Sequence, residues 1–399
     1  MDIDLLLHKD IQAFISAHLD ADCSQLALQK NPFPACSWVE LIQQIQSKQK
    51  CKFKLPTWYA TPNLVYPVKL SVEQSSSERT AAYKASLVQG HSLIDLTGGM
   101  GVDAYFFAQH IKQLTHCEWS SELSATVQHN FGVFGITNVH FVAGDSLTYL
   151  QQTEQSFDWI YIDPSRRNDA KGKVFLLEDC LPNVPENLDL LFAKSQNILL
   201  KTAPILDLSS GIKSLKHVAA IHIVAVDNEV KELLWVLNQE SASTPPIYAV
   251  NLTKQDSEVV HFTANTSSQC SYSLPLDYLY EANSAIMKSG EFTAVASQFG
   301  VAKLHEHSHL YTHTDCVSFP GRVFKIDACL PYNKAEMKKW VQTKANISVR
   351  NFPDSVEEIR KKWKIKEGGD QYCFFTTDLN NQKIVLLCSK IKQPHENTV

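Results

Sequence analysis

The sequence predicts an α/β protein: a Rossmann-like doubly wound sheet, a helical region before it and a smaller α+β domain after it. Three observations carry this. Short apolar strands alternate with helical segments over about 140 residues, the signature of an open parallel sheet. Four successive predicted strands end in a carboxylate, at Asp95, Glu118, Asp145 and Asp163. The 399 residues are 44% hydrophobic and 20% charged, enough for two or three soluble globular domains.

Residues 1–71 read as mainly helical. "DIDLLLHKDIQAFISAHL" has helical apolar spacing, and in "SWVELIQQIQSKQ" Ser37 is an N-cap with Glu40 three residues on. "EQSSSERTAAYKASLVQG" reads as one helix closed by Gly90. A domain spanning 72–265 follows. Its strands are "SLIDLTGG", "QLTHCEW", "VHFVAGD", "FDWIYID" and "NILLK", and its helices include "VDAYFFAQHI", "SELSATVQHNFGVFG" and "SLTYLQQ". "AIHIVAV", "ELLWVL" and "IYAVNL" lie too close together for crossover helices, so they should include an antiparallel pair at the sheet edge. The polar, turn-rich stretch "TANTSSQCSYS" marks a boundary near 265–275. Residues 275–395 form the last domain. Its helices are "KAEMKKWVQTK" and "DSVEEIRKKWK", the latter capped by Asp354 with Glu357 at the box position, and "QYCFFTT" and "KIVLLCS" form a hairpin.

Composition bounds the function. The first residues are acidic where a signal peptide would be basic, and no apolar run has membrane-spanning length. The expectation is a cytoplasmic protein with no membrane partner. The ten cysteines form no C-x-x-C pair and read as reduced, mostly buried thiols. The net charge of −5 does not itself suggest a nucleic-acid binder. The charge is uneven, however: "KQKCKFK" (48–54) carries four lysines, and Lys334–Lys366 carries ten Lys/Arg against four Asp/Glu. His305, His307 and His309 alternate, but no cysteine or acid is spaced to complete a metal site, so none is expected.

In a doubly wound sheet, ligands bind outside the carboxyl ends of the strands. The first strand runs Asp95-Leu96-Thr97-Gly98-Gly99-Met100-Gly101, and glycines let the backbone turn sharply and approach a ligand. Glu118 lies 23 residues after Asp95, the spacing of an acid that accepts from both ribose hydroxyls. Gly99–Ala104 also fits the dinucleotide pattern G-x-G-x-x-A. A pyrophosphate avoids nearby negative charge, whereas Asp95 and Asp103 flank these glycines. That environment suits an ammonium or sulfonium, and S-adenosylmethionine carries both.

Residues ~72–265 resemble a class I S-adenosylmethionine-dependent methyltransferase. "LIDLTGGMGVDA", "CEWSSEL", "VAGDS" and "IDPSRR" are similar to that family's first four motifs. With "EQSSSERTAAYKA" upstream and "SVRNFPDSVEEIRKKWKIKEGGDQY" near the end, the chain resembles a bacterial methyltransferase family with an N-terminal ferredoxin-like domain and a C-terminal THUMP-like domain. The resemblance implies S-adenosylmethionine as cofactor. It places Asp95, Thr97, Gly98, Gly99 and Gly101 at the methionine part, Glu118 on the ribose and Trp119 on the adenine face. Asp145 and Ser146 would bind the adenine, with Ser76 and Thr80 on a helix packed over the cofactor and Asp163 at the reacting end.

The lip Asp163-Pro164-Ser165-Arg166 reads as catalytic. A carboxylate and the Pro164 carbonyl, accepting from an amino group, would direct its lone pair at the methyl group. Enzymes acting on planar amino nitrogens follow Asp/Asn-Pro-Pro with an aromatic residue. Ser165 and Arg166 stand there instead, which counts against amino-nitrogen chemistry. Arg166 and Arg167, with Arg350 in the last domain, read as substrate-orienting groups. Lys201 is placed to face the same cleft. The THUMP-like resemblance and the basic, aromatic-interleaved segment with Trp340, Phe352 and Trp363 suggest a nucleobase in structured RNA as substrate. The rival readings are a methyltransferase for a small molecule or protein, a nicotinamide-dependent oxidoreductase, and a non-catalytic RNA-binding protein.

Overall fold

The computed structural model describes residues 2–166, 176–241, 244–254, 256–263, 270–341 and 343–391. The chain divides into two units: Met1–Ala219 with Leu233–Ser243, and Ala220–Glu232 with Thr244–Val399.

The first unit opens with helices, the longest being α1 (Trp38–Lys54), whose N-cap Ser37 accepts from the Glu40 N–H. Where one helix was expected over 73–90 there are two, α2 (Lys69–Gln74) and α3 (Glu78–Ser86). The serine run explains the break. The Ser77 hydroxyl accepts from the Thr80 N–H and the Thr80 hydroxyl accepts from the Ser77 N–H, so the backbone ends one helix and starts another. The helices from residue 3 to Lys54 have a core of their own that includes Leu6, Ile11, Ile15, Leu41 and Ile45, with Val65 packed into it. A second cluster joins Trp58, Tyr66, Val72 and Ala81 to Met100 and Val102, so the helical region is packed onto the residues that follow the first strand.

The strands come in the expected order: β1 (Ser92–Asp95), β2 (Gln113–Glu118), β3 (Val139–Ala143), β4 (Trp159–Ile162) and β5 (Asn197–Thr202). β1 pairs in parallel with β2 and β4, β2 with β3, and β4 with β5. The next two strands are β6 (Val218–Val226) and β7 (Glu229–Asn238), and the Leu233–Asn238 part of β7 runs antiparallel to β5. The spatial order in this unit is therefore β7-β5-β4-β1-β2-β3. Between the strands run α4 (Val102–Ala108), α5 (Ser121–Val133) and α6 (Ser146–Gln152). β1 is buried along its whole length, as a central parallel strand must be. Its carboxyl end, with those of β2 and β4, forms the rim on which the site is built.

The second unit holds β8 (Ile247–Leu252), parallel to β6, and β9 (Ser257–Phe262), antiparallel to β8. It also holds a seven-stranded sheet that includes β10 (Tyr278–Ala282), β11 (Leu310–His313), β12 (Gly321–Pro331), β13 (Asn346–Arg350), β14 (Gln371–Thr377) and β15 (Lys383–Lys390). β14 and β15 are the expected hairpin. The expected boundary near 265–275 lies partly outside the described residues. The cap of α7 (Val356–Trp363) is Ser355 with Glu358, one residue later than expected. Asp354 is taken by the Tyr332 hydroxyl and by Lys362, which leaves the capping role to the serine.

Candidate active site

A cleft of about 260 Å³ opens at the carboxyl ends of β1 and β4. Its wall includes Ser76, Asp95, Thr97, the loop Gly98–Gly101, Asp103, Tyr161, Asp163 and Ser165. Gly99 (φ +54°) and Gly101 (φ +78°) adopt the left-handed conformation that only glycine takes freely. Gly98 is needed for another reason: a Cβ there would lie 2.3 Å from the ring of His116. That histidine is fully buried, and burial lowers its pKa to about 4, so it packs as a neutral ring beneath the loop.

Glu118 ties the loop down. Its Oε2 accepts from the Gly99 N–H at 2.9 Å and its Oε1 from the Ser120 N–H at 2.8 Å. Asp95 accepts from the Thr97 N–H at 2.9 Å. Burial pushes its carboxyl well above the usual range, and the neighbouring Asp103 and Asp163 carboxylates add to the rise. The Thr97 hydroxyl accepts from the Asp163 N–H at 2.7 Å, joining the lip to the glycine loop. Lys201, at the end of β5, places Nζ 2.5 Å from Asp163 Oδ2.

Beneath the loop is a buried polar network that the sequence reading missed. Lys84 on α3 has no exposed side-chain surface, and its Nζ lies 3.2 Å from Asp103 Oδ1 and 3.0 Å from the Ser76 hydroxyl. Ser76 and Tyr161 both donate to Asp103 Oδ2, at 2.8 and 2.7 Å. Burial alone would raise the Asp103 pKa, but Lys84, Lys201 and the two hydroxyls hold it below the ordinary value. A signal for Lys84 was present. It shares the inward stripe Thr80, Ala81, Lys84, Ala85, where a lysine has to find a partner.

The expected cofactor residues do not all meet at the cleft. Ser76, Asp95, Thr97, Gly98, Gly99, Gly101 and Asp163 line the cleft, and Glu118 borders it through Gly99. Trp119 is 76% exposed, so its ring is not part of the core. Asp145 is the N-cap of α6, accepting from the Leu147 N–H and the Thr148 hydroxyl, and Ser146 begins that helix. Thr80 does not line the cleft, because it is buried in the α3 capping box.

At the lip, Ser165 lines the cleft, and Ser165–Arg166 pairs with Cys180–Leu181 in a short antiparallel ladder. The Arg166 side chain and all of Arg167 lie outside the described part. Arg350, in the second unit, binds Glu281 at 2.8 Å, and Arg322 holds the same buried carboxylate. Trp340, Phe352 and Trp363 pack against a core of Met337, Ile359, Cys373 and Phe375, so they are not free stacking platforms. Among the described residues, no three His, Cys, Asp or Glu side chains are grouped to hold a metal, and no helix is long and apolar enough to cross a membrane.

The fold is shared over the full length with a Porphyromonas gingivalis W83 protein named "putative methyltransferase". The two are 32% identical, the match covers 98% of this chain and 100% of that one, and the TM-score is 0.89. The chain belongs to that methyltransferase family. Family models place a ferredoxin-like domain at 278–320 and a THUMP domain-like region at 321–390. The ferredoxin-like match thus falls in the second unit rather than in the N-terminal residues, which are helical. More distant likenesses cover about two fifths of the chain. M. capricolum TrmK in complex with S-adenosylhomocysteine is 14% identical, over 41% of this chain and 70% of that one, with a TM-score of 0.32. An rRNA methylase from Streptococcus thermophilus is 12% identical, over 40% and 93%, with a TM-score of 0.29. Among curated proteins, none matches the chain.

Proposed function

We propose that this chain is a cytoplasmic enzyme that transfers the methyl group of S-adenosylmethionine to a nucleobase in structured RNA. One observation carries the reading: a left-handed glycine loop and three aspartates, Asp95, Asp103 and Asp163, line one cleft at the strand ends. The donor's chemistry fits this wall. Asp95 is a buried carboxyl whose hydrogen bonds come from Thr97, and a nearby cation would complement it. When bound, S-adenosylmethionine supplies an electrophilic methyl group on a positively charged sulfur.

The chain's own residues do the rest. The Gly98–Gly101 backbone and Asp95 hold the amino-acid end, Glu118 takes the ribose hydroxyls, and exposed Trp119 offers a face to the adenine, with Asp145 and Ser146 beside it. Asp163, with the Pro164 carbonyl, orients the acceptor atom. Ser165 and Arg166 border its approach. Orientation of this kind contributes about 7–11 kcal/mol to such a displacement.

RNA is supported by the THUMP domain-like match at 321–390 and by the basic charge of 334–366. A second reading, transfer to a small molecule or protein, is favoured by the burial of the aromatic residues in that segment and the pairing of Arg350 with Glu281. A low-salt gel shift with total RNA, followed by a tritiated-methyl assay, separates the two. RNA that is bound and labelled supports the first reading, and RNA that is neither bound nor labelled supports the second.

A further inference from the structure

Glu281 and Arg350 lie on β10 and β13, which are separated by β12, β15 and β14 in the sheet order. Their side chains nevertheless bond at 2.8 Å. The sheet therefore curls round a core that includes Leu279, Phe324, Phe374 and Leu386, and this contact closes its rim. Arg322 stands opposite Glu281 in the β10–β12 ladder and donates to Glu281 Oε2 through Nε and Nη2. Its guanidinium lies 5.5 Å over the Phe324 ring.

This cluster is not a closed ion pair. Two guanidinium charges meet one carboxylate, and among the described residues neither arginine pairs with another acid. The Glu281 side chain is 4% exposed, whereas those of Arg322 and Arg350 are 39% and 38% exposed, so the surplus positive charge faces solvent. Arg350 Nη1 is engaged only by the Val349 carbonyl, at 3.4 Å. Arg350 Nε and the hydroxyl of Thr376, which stands beside Arg350 in register, are buried with no partner among the described residues. A cluster that serves the fold alone gains from satisfying such protons. Two guanidinium forks, preset by a buried carboxylate and an aromatic face, suit an oxyanion instead.

On the proposed reading of RNA as substrate, we infer that Arg322 and Arg350 together bind one backbone phosphate of the RNA. The single surplus charge of the cluster matches the single negative charge of a phosphodiester. The Glu281 contact thus sets the direction of Arg350 without removing it from the surface, and the site lies within the second unit, away from the cleft.

The test uses the full-length protein and a fluorescein-labelled RNA stem-loop, with affinity read by anisotropy over a range of salt concentrations. Arg322→Gln and Arg350→Gln should each weaken binding about 10-fold at low salt and reduce the steepness of log affinity against log salt by about 0.7–0.9, the share of one phosphate. Lysine at either position carries the charge without the fork, so it should restore the slope and only part of the affinity. S-adenosylmethionine affinity, by calorimetry, should stay within a few-fold of the parent in every variant. RNA bound as tightly by the glutamine variants, with the slope unchanged, overturns this site and leaves the RNA reading in place. A parent protein that binds no RNA at low salt overturns the RNA reading, and this inference with it. Should the variants fail to fold, phenylglyoxal labelling of the parent, read by peptide mass spectrometry, decides the matter. Bound RNA should protect both Arg322 and Arg350. Equal labelling with and without RNA overturns the site, and protection by inorganic phosphate but not by RNA overturns RNA as the source of the phosphate.

Discussion

The Gly99 N–H donates to Glu118 Oε2 at 2.9 Å, so the same carboxylate expected to hold the ribose also pins the glycine loop. Each strand end therefore shapes the other's contribution to the cleft. Glu118→Ala should weaken S-adenosylmethionine binding by ~1.5–3 kcal/mol, the cost of a charge-assisted hydrogen bond. Equilibrium dialysis measures this, and unchanged affinity would remove Glu118 from the site.

Asp163 lines the same cleft. Asp163→Ala should retain most cofactor affinity by calorimetry while losing about 10²–10⁴ in transfer rate. Unaltered turnover in a methyl-transfer assay would show that the catalytic assignment is wrong.

Asp95 and Asp103 should titrate with opposite signs. The Asp103 pKa is depressed in the folded protein, so its stabilising contribution is present above the unfolded value of about 4 and is lost as pH falls through the folded value. The Asp95 pKa is raised, so the folded state binds its proton more tightly, and stability is lost as pH rises from about 4 through the raised value. Asp95→Asn should accordingly raise the melting temperature of the free protein at neutral pH and weaken S-adenosylmethionine binding. A melting temperature that falls together with affinity would contradict this.

Lys84→Met leaves the Asp103 charge buried beside two hydroxyls and should destabilise the fold by about 3–5 kcal/mol. Adding Asp103→Asn should restore a large part of the loss. Chemical denaturation of the single and double variants measures both, and additive losses would contradict the pairing.

The cleft was readable because its signals are local. Glycines beside a strand-end carboxylate have few other uses, so Asp95, Gly98, Gly99, Gly101 and Asp163 could be placed before any coordinates. Other features depend on chain segments that meet only in the fold. Lys84 and Asp103 are 19 positions apart, and their pairing needs α3 packed beside α4. Thr80 and Ser77 satisfy each other across a helix start, so hydroxyls that suited a ligand were used by the backbone. In the second unit, basic residues interleaved with aromatics looked like a nucleic-acid face. In the fold, Trp340, Phe352 and Trp363 pack against a core instead. The ferredoxin-like region was sought before the sheet, although its match begins at residue 278.

The most direct test of the account is a calorimetric titration of the full-length protein with S-adenosylmethionine, run beside reduced nicotinamide dinucleotide. One-site binding of S-adenosylmethionine, weakened in Glu118→Ala and absent for the dinucleotide, is the predicted result. Binding of the dinucleotide with no heat from S-adenosylmethionine would contradict it.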